Sequence, residues 1–315
     1  MKTRIMALAM ALAVLLIAGC DNGTTGKVNP FLGGTSGVTL EFMPDAPPSE
    51  VFDGGDFPFS VVVSLKNEGE WEVPTGKAKL TINGINPVEF GVTDNDMAIT
   101  IDEPIEESTK DAEGNVIPST LMPIEFPEMV YEGDLVGNRL FPLRANLCYE
   151  YGTRATSSLC VLANLRDTSS ESPVCNVNED KTVYSSGAPI AITAFQEAVA
   201  GTDKVRFTFT ISHKGKGQIY KLGSGCNGAV FSNRNKIHLA VDSGLAGLKC
   251  TGLSDGTDTE GYVMLSSEGK TAERVITCTQ PIEAQTDFDQ PVNVVLTYDY
   301  NDHVSTTLLV KHVGE

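Results

Sequence analysis

The sequence predicts an all-β protein: two tandem antiparallel β-sandwiches that follow a signal peptide and a short flexible stalk. Three observations carry this expectation. Short runs with apolar side chains at alternate positions fill the chain after its first 36 residues, punctuated by Gly, Asn, Asp and Pro. Beyond the N-terminal segment, no stretch keeps a long apolar period of 3.6 residues. The stretch LCYEYGTRATSSLCV, Leu147–Val161, reappears without a gap as LTYDYNDHVSTTLLV, Leu296–Val310.

The chain opens MKTRIMALAMALAVLLIAGC. Lys2 and Arg4 precede an apolar run from Met6 to Ala18, which is short for a bilayer-spanning helix and fits the apolar region of a secretory signal. Ile17-Ala18-Gly19-Cys20 resembles a lipoprotein lipobox, in which cleavage precedes the cysteine and its sulfur is acylated. The expectation is therefore a signal peptide over 1–19 and a lipid anchor at Cys20. The stretch over 20–36 is rich in Gly, Thr and Asn and reads as a flexible stalk.

The first sandwich is expected over 37–167, then a linker over 168–185 and a second sandwich over 186–315. FPFSVVVSLKNEG places Phe57, Phe59, Val61, Val63 and Leu65 on one face before Asn67-Glu68-Gly69. VRFTFTISHKG does the same with Val205, Phe207, Phe209 and Ile211 before His213-Lys214-Gly215. These opening strands lie 146 residues apart and the closing segments 149 apart, so one unit is written twice. Between them KAKLTING, NKIHLAVD, GYVMLSSEG and AERVITC supply further short strands. In the closing segments Leu147, Tyr149 and Tyr151, and Leu296, Tyr298 and Tyr300, fall on the inner face.

Each closing segment reads as a hairpin. Pairing positions that sum to 308 sets Leu147 across from Val161 and Cys148 across from Cys160. Opposed residues in a ladder lie within disulfide range, which predicts a Cys148–Cys160 bridge. Six cysteines besides Cys20 suit an exported, disulfide-bonded chain. Cys250 and Cys278 lie in strand-like runs of the second unit, favouring Cys250–Cys278 and leaving Cys175–Cys226.

A strand such as VVVSLKNEG or FTFTISHKG, followed much later by a segment with L-x-Y-x-Y, resembles the immunoglobulin-like modules of the CARDB and NEW3 kind in surface proteins. With the lipobox and stalk, the whole resembles tandem lipoproteins of small-genome archaea. The resemblance implies an immunoglobulin-like fold for each unit and a place at the cell surface. It supplies no activity, and His213 stands where such modules usually carry Asn.

The formal charge is −18, and without Lys2 and Arg4 the remaining 21 basic and 41 acidic residues give −20. This argues against a nucleic-acid partner, which needs clustered Lys and Arg. HExxH and a strand-to-helix GxGxxG are absent. Ser267-Glu268-Gly269-Lys270-Thr271 ends like a phosphate loop, but Met264 occupies the place of its first glycine. His213, His238, His303 and His312 lie singly, and Trp71 reads as packing over a sandwich end or as a partner anchor. No catalytic residue is assigned. Two acidic loops, one with Asp94 and Asp96 and one with Asp255, Asp258 and Glu260, carry oxygen donors of the kind calcium takes, although a solvated acidic face is the favoured reading of both. No other cofactor is expected.

The functional expectation is a membrane-anchored, extracytoplasmic lipoprotein with a structural, adhesive or protein-interaction role, no chemistry of its own, and a protein or cell-envelope partner. The alternatives are a ligand- or calcium-binding lipoprotein and a hydrolase with a loop-built site.

Overall fold

Most of the alternating runs form strands, and the expected inner-face residues of the repeat are buried except Phe57, which lies ahead of its strand and is exposed. The computed structural model describes residues 29–166, 174–265 and 272–313. The signal segment, Cys20, the stalk up to residue 28 and the loop Ser267–Thr271 lie outside the described residues.

In the first half, β1 spans Val38–Phe42, β2 Glu50–Phe52, β3 Val62–Asn67, β4 Ala78–Asn83, β5 Ala98–Ile101, β6 Thr109–Lys110, β7 Val116–Ile117, β8 Met122–Glu125 and β9 Arg139–Val161. The second half continues with β10 Glu179–Asp180, β11 Tyr184–Ser185, β12 Ile190–Val199, β13 Lys204–His213, β14 Gln218–Tyr220 and β15 Lys236–Asp242. It closes with β16 Lys249–Thr251, β17 Glu260–Met264, β18 Glu273–Pro281 and β19 Phe288–Lys311. Single 3-10 turns at Pro87–Phe90 and Phe231–Asn233 are the helical elements among the described residues.

The two closing segments are long single strands, not hairpins. β9 and β19 run antiparallel along almost their whole length, with Tyr149 opposite Tyr300, Glu150 opposite Asp299 and Tyr151 opposite Tyr298. Glu150 therefore pairs with its own equivalent, Asp299, and Tyr149 with the equivalent of Tyr151, so the repeat is mirrored about a local two-fold axis between Glu150 and Asp299. Strand order follows the same symmetry. The central sheet reads β5-β4-β9 on one side of the axis and β17-β15-β19 on the other. A second layer repeats as β1-β3-β8 and as β12-β13-β18, the latter extended by β10 and β16.

The two halves thus share one sheet, and residues Phe31–Glu315 fall in one compact unit. This sandwich-like arrangement has a common core in which Val61, Val63, Leu65, Leu143 and Leu147 join Phe207, Phe209, Ile211, Leu239 and Leu296. β1 approaches β19 and β12 approaches β9, so the smaller sheets reach across the axis. The buried faces hold the halves together through apolar area, at about 25 cal/mol per Å².

The expected hairpin register centres its turn on Arg154, but the strand runs straight through that region. Gly152 leaves room for Trp71: a Cβ there would lie 2.6 Å from the indole. Thr153 is buried in the strand, its hydroxyl donating to the Ile190 carbonyl at 2.6 Å. Residues twelve apart on one extended strand are separated by about 40 Å, so a Cys148–Cys160 bridge is excluded. The disulfides are Cys148–Cys226, Cys160–Cys175 and Cys250–Cys278. The expected Cys175–Cys226 pair is corrected with the first. Cys250–Cys278 matches the expectation because the two stand opposite one another in β16 and β18.

The fold also begins earlier than the stalk expectation placed it. Glu70, largely buried, accepts backbone N–H bonds from Leu32 at 2.8 Å, Gly33 at 2.9 Å and Gly187 at 2.6 Å. The residues after Pro30 are held by this carboxylate, together with Gly187 at the start of the second half.

Candidate functional site

The two-fold axis has a dry side and a wet side. On the dry side Tyr149, Tyr151, Tyr298 and Tyr300 form a buried cluster, with ring centroids 5.8 Å apart for Tyr149 and Tyr300 and 6.4 Å for Tyr151 and Tyr298. Burial holds all four phenols above their usual range. Each hydroxyl is spent on structure. Tyr149 accepts from the Val38 N–H at 3.1 Å, and Tyr298 lies 3.3 Å from the Thr153 hydroxyl.

The other two tyrosines show the repeat at atomic level. Tyr151 donates to Asn67 Oδ1 at 2.8 Å. Its equivalent Tyr300 lies 3.1 Å from Nε2 of His213, the equivalent of Asn67. Gly69 and Gly215 make room for these hydroxyls, since a Cβ would sit 2.1 Å and 2.2 Å from them. The Gly217 N–H donates to Tyr300 at 2.7 Å, leaving the phenol hydrogen for His213. That arrangement requires a neutral ring, and desolvation by burial pulls the His213 pKa down, helping to keep it so.

On the wet side lies a groove of about 610 Å³. Its floor is the outer face of the shared sheet: Lys79, Thr81 and Asn83 from β4, Asn146, Cys148 and Glu150 from β9, Asp299 and Asn301 from β19, and Thr100 from β5. The wall is the loop that carries Gly223, Gly225 and Cys226. Period-two alternation puts these polar residues outside because their neighbours Leu80, Leu147, Tyr149 and Tyr300 are in the core.

Two like charges face each other on this floor, which by itself is destabilising. Glu150 is neutralised by Lys77 Nζ at 2.9 Å. Asp299, almost fully buried, accepts from the Gly223 N–H at 2.9 Å, the Ser224 hydroxyl at 3.1 Å and the Cys226 N–H at 3.4 Å. Left-handed backbone at Gly223, Gly225 and Cys226 folds the loop around that carboxylate. The Cys148–Cys226 bridge then ties the loop to the first half.

The same loop breaks the symmetry. Lys79, opposite Thr100, has His238, opposite Tyr262, as its equivalent. In the second half Lys221 stands over the Tyr262 ring at 5.0 Å and Tyr220 bridges to Arg234. In the first half the corresponding sheet face is open and forms the groove.

Asp255, Asp258 and Glu260 do not converge. They face Lys236 at 3.0 Å, Lys249 at 3.4 Å and His238 at 3.4 Å respectively. Asp96 caps its own turn, accepting from the Thr93 N–H and hydroxyl at 2.8 and 2.6 Å, bonds that lower its pKa. The structure gives Asp94 no role beside it. Among the described residues the metal-ligating atoms that do cluster are those of Cys148, Cys226 and Asp299, and both sulfurs are committed to a disulfide. Trp71 packs over Gly152 with the Arg154 guanidinium 4.6 Å above its ring. His312 Nδ1 lies 2.8 Å from Asp53, a buried carboxylate that also accepts from the Leu135 and Val313 N–H groups. These bonds bring Asp53 down to about 2.

Sequence reasoning missed the groove and the anchoring roles of Asp53, Glu70 and Asp299. One signal was present: GSGCNGAVFSNR, residues 223–234, has no counterpart in the first half. No protein-family model matches the chain, and no curated protein matches it in sequence.

Proposed function

We propose that this chain is a lipid-anchored extracytoplasmic interaction protein, made of two immunoglobulin-like units merged along a shared sheet, and that it engages its partner through the groove beside the two-fold axis. The observation that carries this reading is the broken symmetry. A fold that repeats its strands, its tyrosines and its glycines departs from the repeat to cap one outer face and leave the other open. The open face is fixed by a disulfide and a buried carboxylate, the kind of preorganisation that lowers the cost of binding.

The chemistry of the groove supports binding over catalysis. Glu150 is held by Lys77 and Asp299 by its loop, so the carboxylates there are committed to structure. Three disulfides suit an oxidising compartment outside the cytoplasm. The Cys20 lipobox supplies the tether in this account.

The test is photocrosslinking in intact cells. Benzoylphenylalanine replaces Thr100 at the groove or, as a control, Asp134, which lies outside it. The reading expects an adduct with a higher-mass species from position 100 alone. Equal adducts from both positions, or none from position 100, would remove the groove as the interaction surface.

A further inference from the structure

We propose that the groove takes a neutral, polyhydroxylated ligand: an uncharged saccharide chain of the sort displayed on cell envelopes. This deepens the reading of the groove as the binding surface and rests on it.

The lining sets the ligand class. Thr100 presents a hydroxyl and Asn83 an amide carbonyl, while the Thr81 hydroxyl accepts from Asn83 Nδ2 at 3.3 Å and donates to the Asn146 carbonyl at 3.5 Å, a polar floor of donors and acceptors of the kind sugar hydroxyls match. An apolar molecule would cover these groups without satisfying them, which is unfavourable. The groove charges are largely internally compensated, and the chain as a whole carries −18, so a polyanion is repelled before it arrives. Lys79, exposed on the floor, offers an ammonium donor to hydroxyl or ring oxygens.

Asn301 supplies the second observation. Its Oδ1 is buried with no hydrogen-bond partner, although the residue lines the groove. An unmet buried acceptor costs free energy in the unliganded protein. Rotation about the soft terminal torsion of the side chain turns the oxygen toward the open side, where a ligand hydroxyl can donate to it. The free protein carries an unmet acceptor that a sugar satisfies.

The experiment uses the full lipidated chain in detergent micelles. Maltohexaose, mannohexaose and N-acetylchitohexaose are the neutral probes and hexagalacturonate is the polyanion, each followed by saturation-transfer NMR and calorimetry. The inference expects binding of at least one neutral probe and none of hexagalacturonate. Asn301→Leu should raise the Kd of that probe by about fivefold, the loss of one hydrogen bond, while raising Tm because the orphan acceptor is gone. Thr81→Arg, which fills the groove, should abolish binding with Tm within a few degrees of wild type. Failure of every neutral probe, binding of hexagalacturonate, or neutral binding unchanged in Thr81→Arg would each overturn it. If position 100 still gives its specific crosslink while the neutral probes fail, the saccharide inference falls and the interaction reading stands. If that crosslink is absent, both fall.

Discussion

Glu150 stands directly across from Asp299 in the central pair of strands, two carboxylates at equivalent positions of a repeated sequence. Their opposite fates explain how a nearly symmetric fold acquires one site. Glu150 is held by an exposed lysine; Asp299 is buried under a loop that exists in the second half alone.

The two substitutions should therefore differ in cost. Asp299→Ala strands the Gly223 and Cys226 N–H groups and the Ser224 hydroxyl, and should destabilise by about 3 kcal/mol. Glu150→Ala removes a surface ion pair and should cost under about 1 kcal/mol. Chemical denaturation of both variants checks this, and equal losses would deny Asp299 its anchoring role.

His213 gives the second half an acid sensitivity that Asn67 does not give the first. Its folded pKa lies below the ordinary value of 6.5, so protons bind the unfolded chain more readily, and stability is lost as pH falls through that value. His213→Asn, which copies the first half, should accept the Tyr300 hydrogen and flatten the stability curve between pH 7 and 5 relative to wild type. Denaturation midpoints across that range decide it; parallel curves would show that His213 titrates as it does in the unfolded chain.

Glu197 works in the other direction. Its side chain is buried between β12 and β9, accepting from the Cys160 N–H at 2.9 Å with Lys181 Nζ 3.4 Å away, while Oε1 has no partner. Burial pushes its pKa from 4.5 to about 7, against the pull of the Cys160 N–H and Lys181 and with help from Asp289. The proton is thus held more tightly in the folded state. That contribution is complete below the unfolded pKa and is lost as pH rises from 4.5 to about 7, a change of about 3 kcal/mol. Glu197→Gln should remove this loss and be the more stable protein at pH 8. A wild type that gains stability relative to the variant over that interval would contradict the assignment.

Much of the fold was legible because period two is a local property. The inward faces of β3, β9, β13 and β19 follow from alternation, and the tyrosine cluster follows from L-x-Y-x-Y. The repeat was legible too, but its consequence was not. Pairing between Leu147 and Asp302, or Tyr149 and Tyr300, joins residues about 150 apart, and no local pattern states which distant strand completes a ladder. Alternation fits a hairpin centred on Arg154 as well as a single long strand, so the local pattern misled the register and the register misled the cysteines. Cys250–Cys278 was recoverable because both sit in short strands of one unit. The groove was hidden for the same reason as the pairing: its floor comes from four strands of both halves, and its wall from a loop bonded across the axis to Cys148.

The shared sheet is the claim on which the groove, the axis and the site all depend, and one engineered crosslink tests it. Arg144 and Ser305 are opposed in β9 and β19, both exposed on the outer face. In the alternative hairpin, Arg144 would instead lie against Asn164. The Arg144→Cys, Ser305→Cys double variant, oxidised and mapped as unreduced peptides, should yield a 144–305 disulfide with all three native bridges intact, because opposed residues in a ladder lie within bonding reach. Formation of a 144–164 bridge in the Arg144→Cys, Asn164→Cys variant, with no 144–305 bridge in the first, would show that each half closes on itself and would contradict the account.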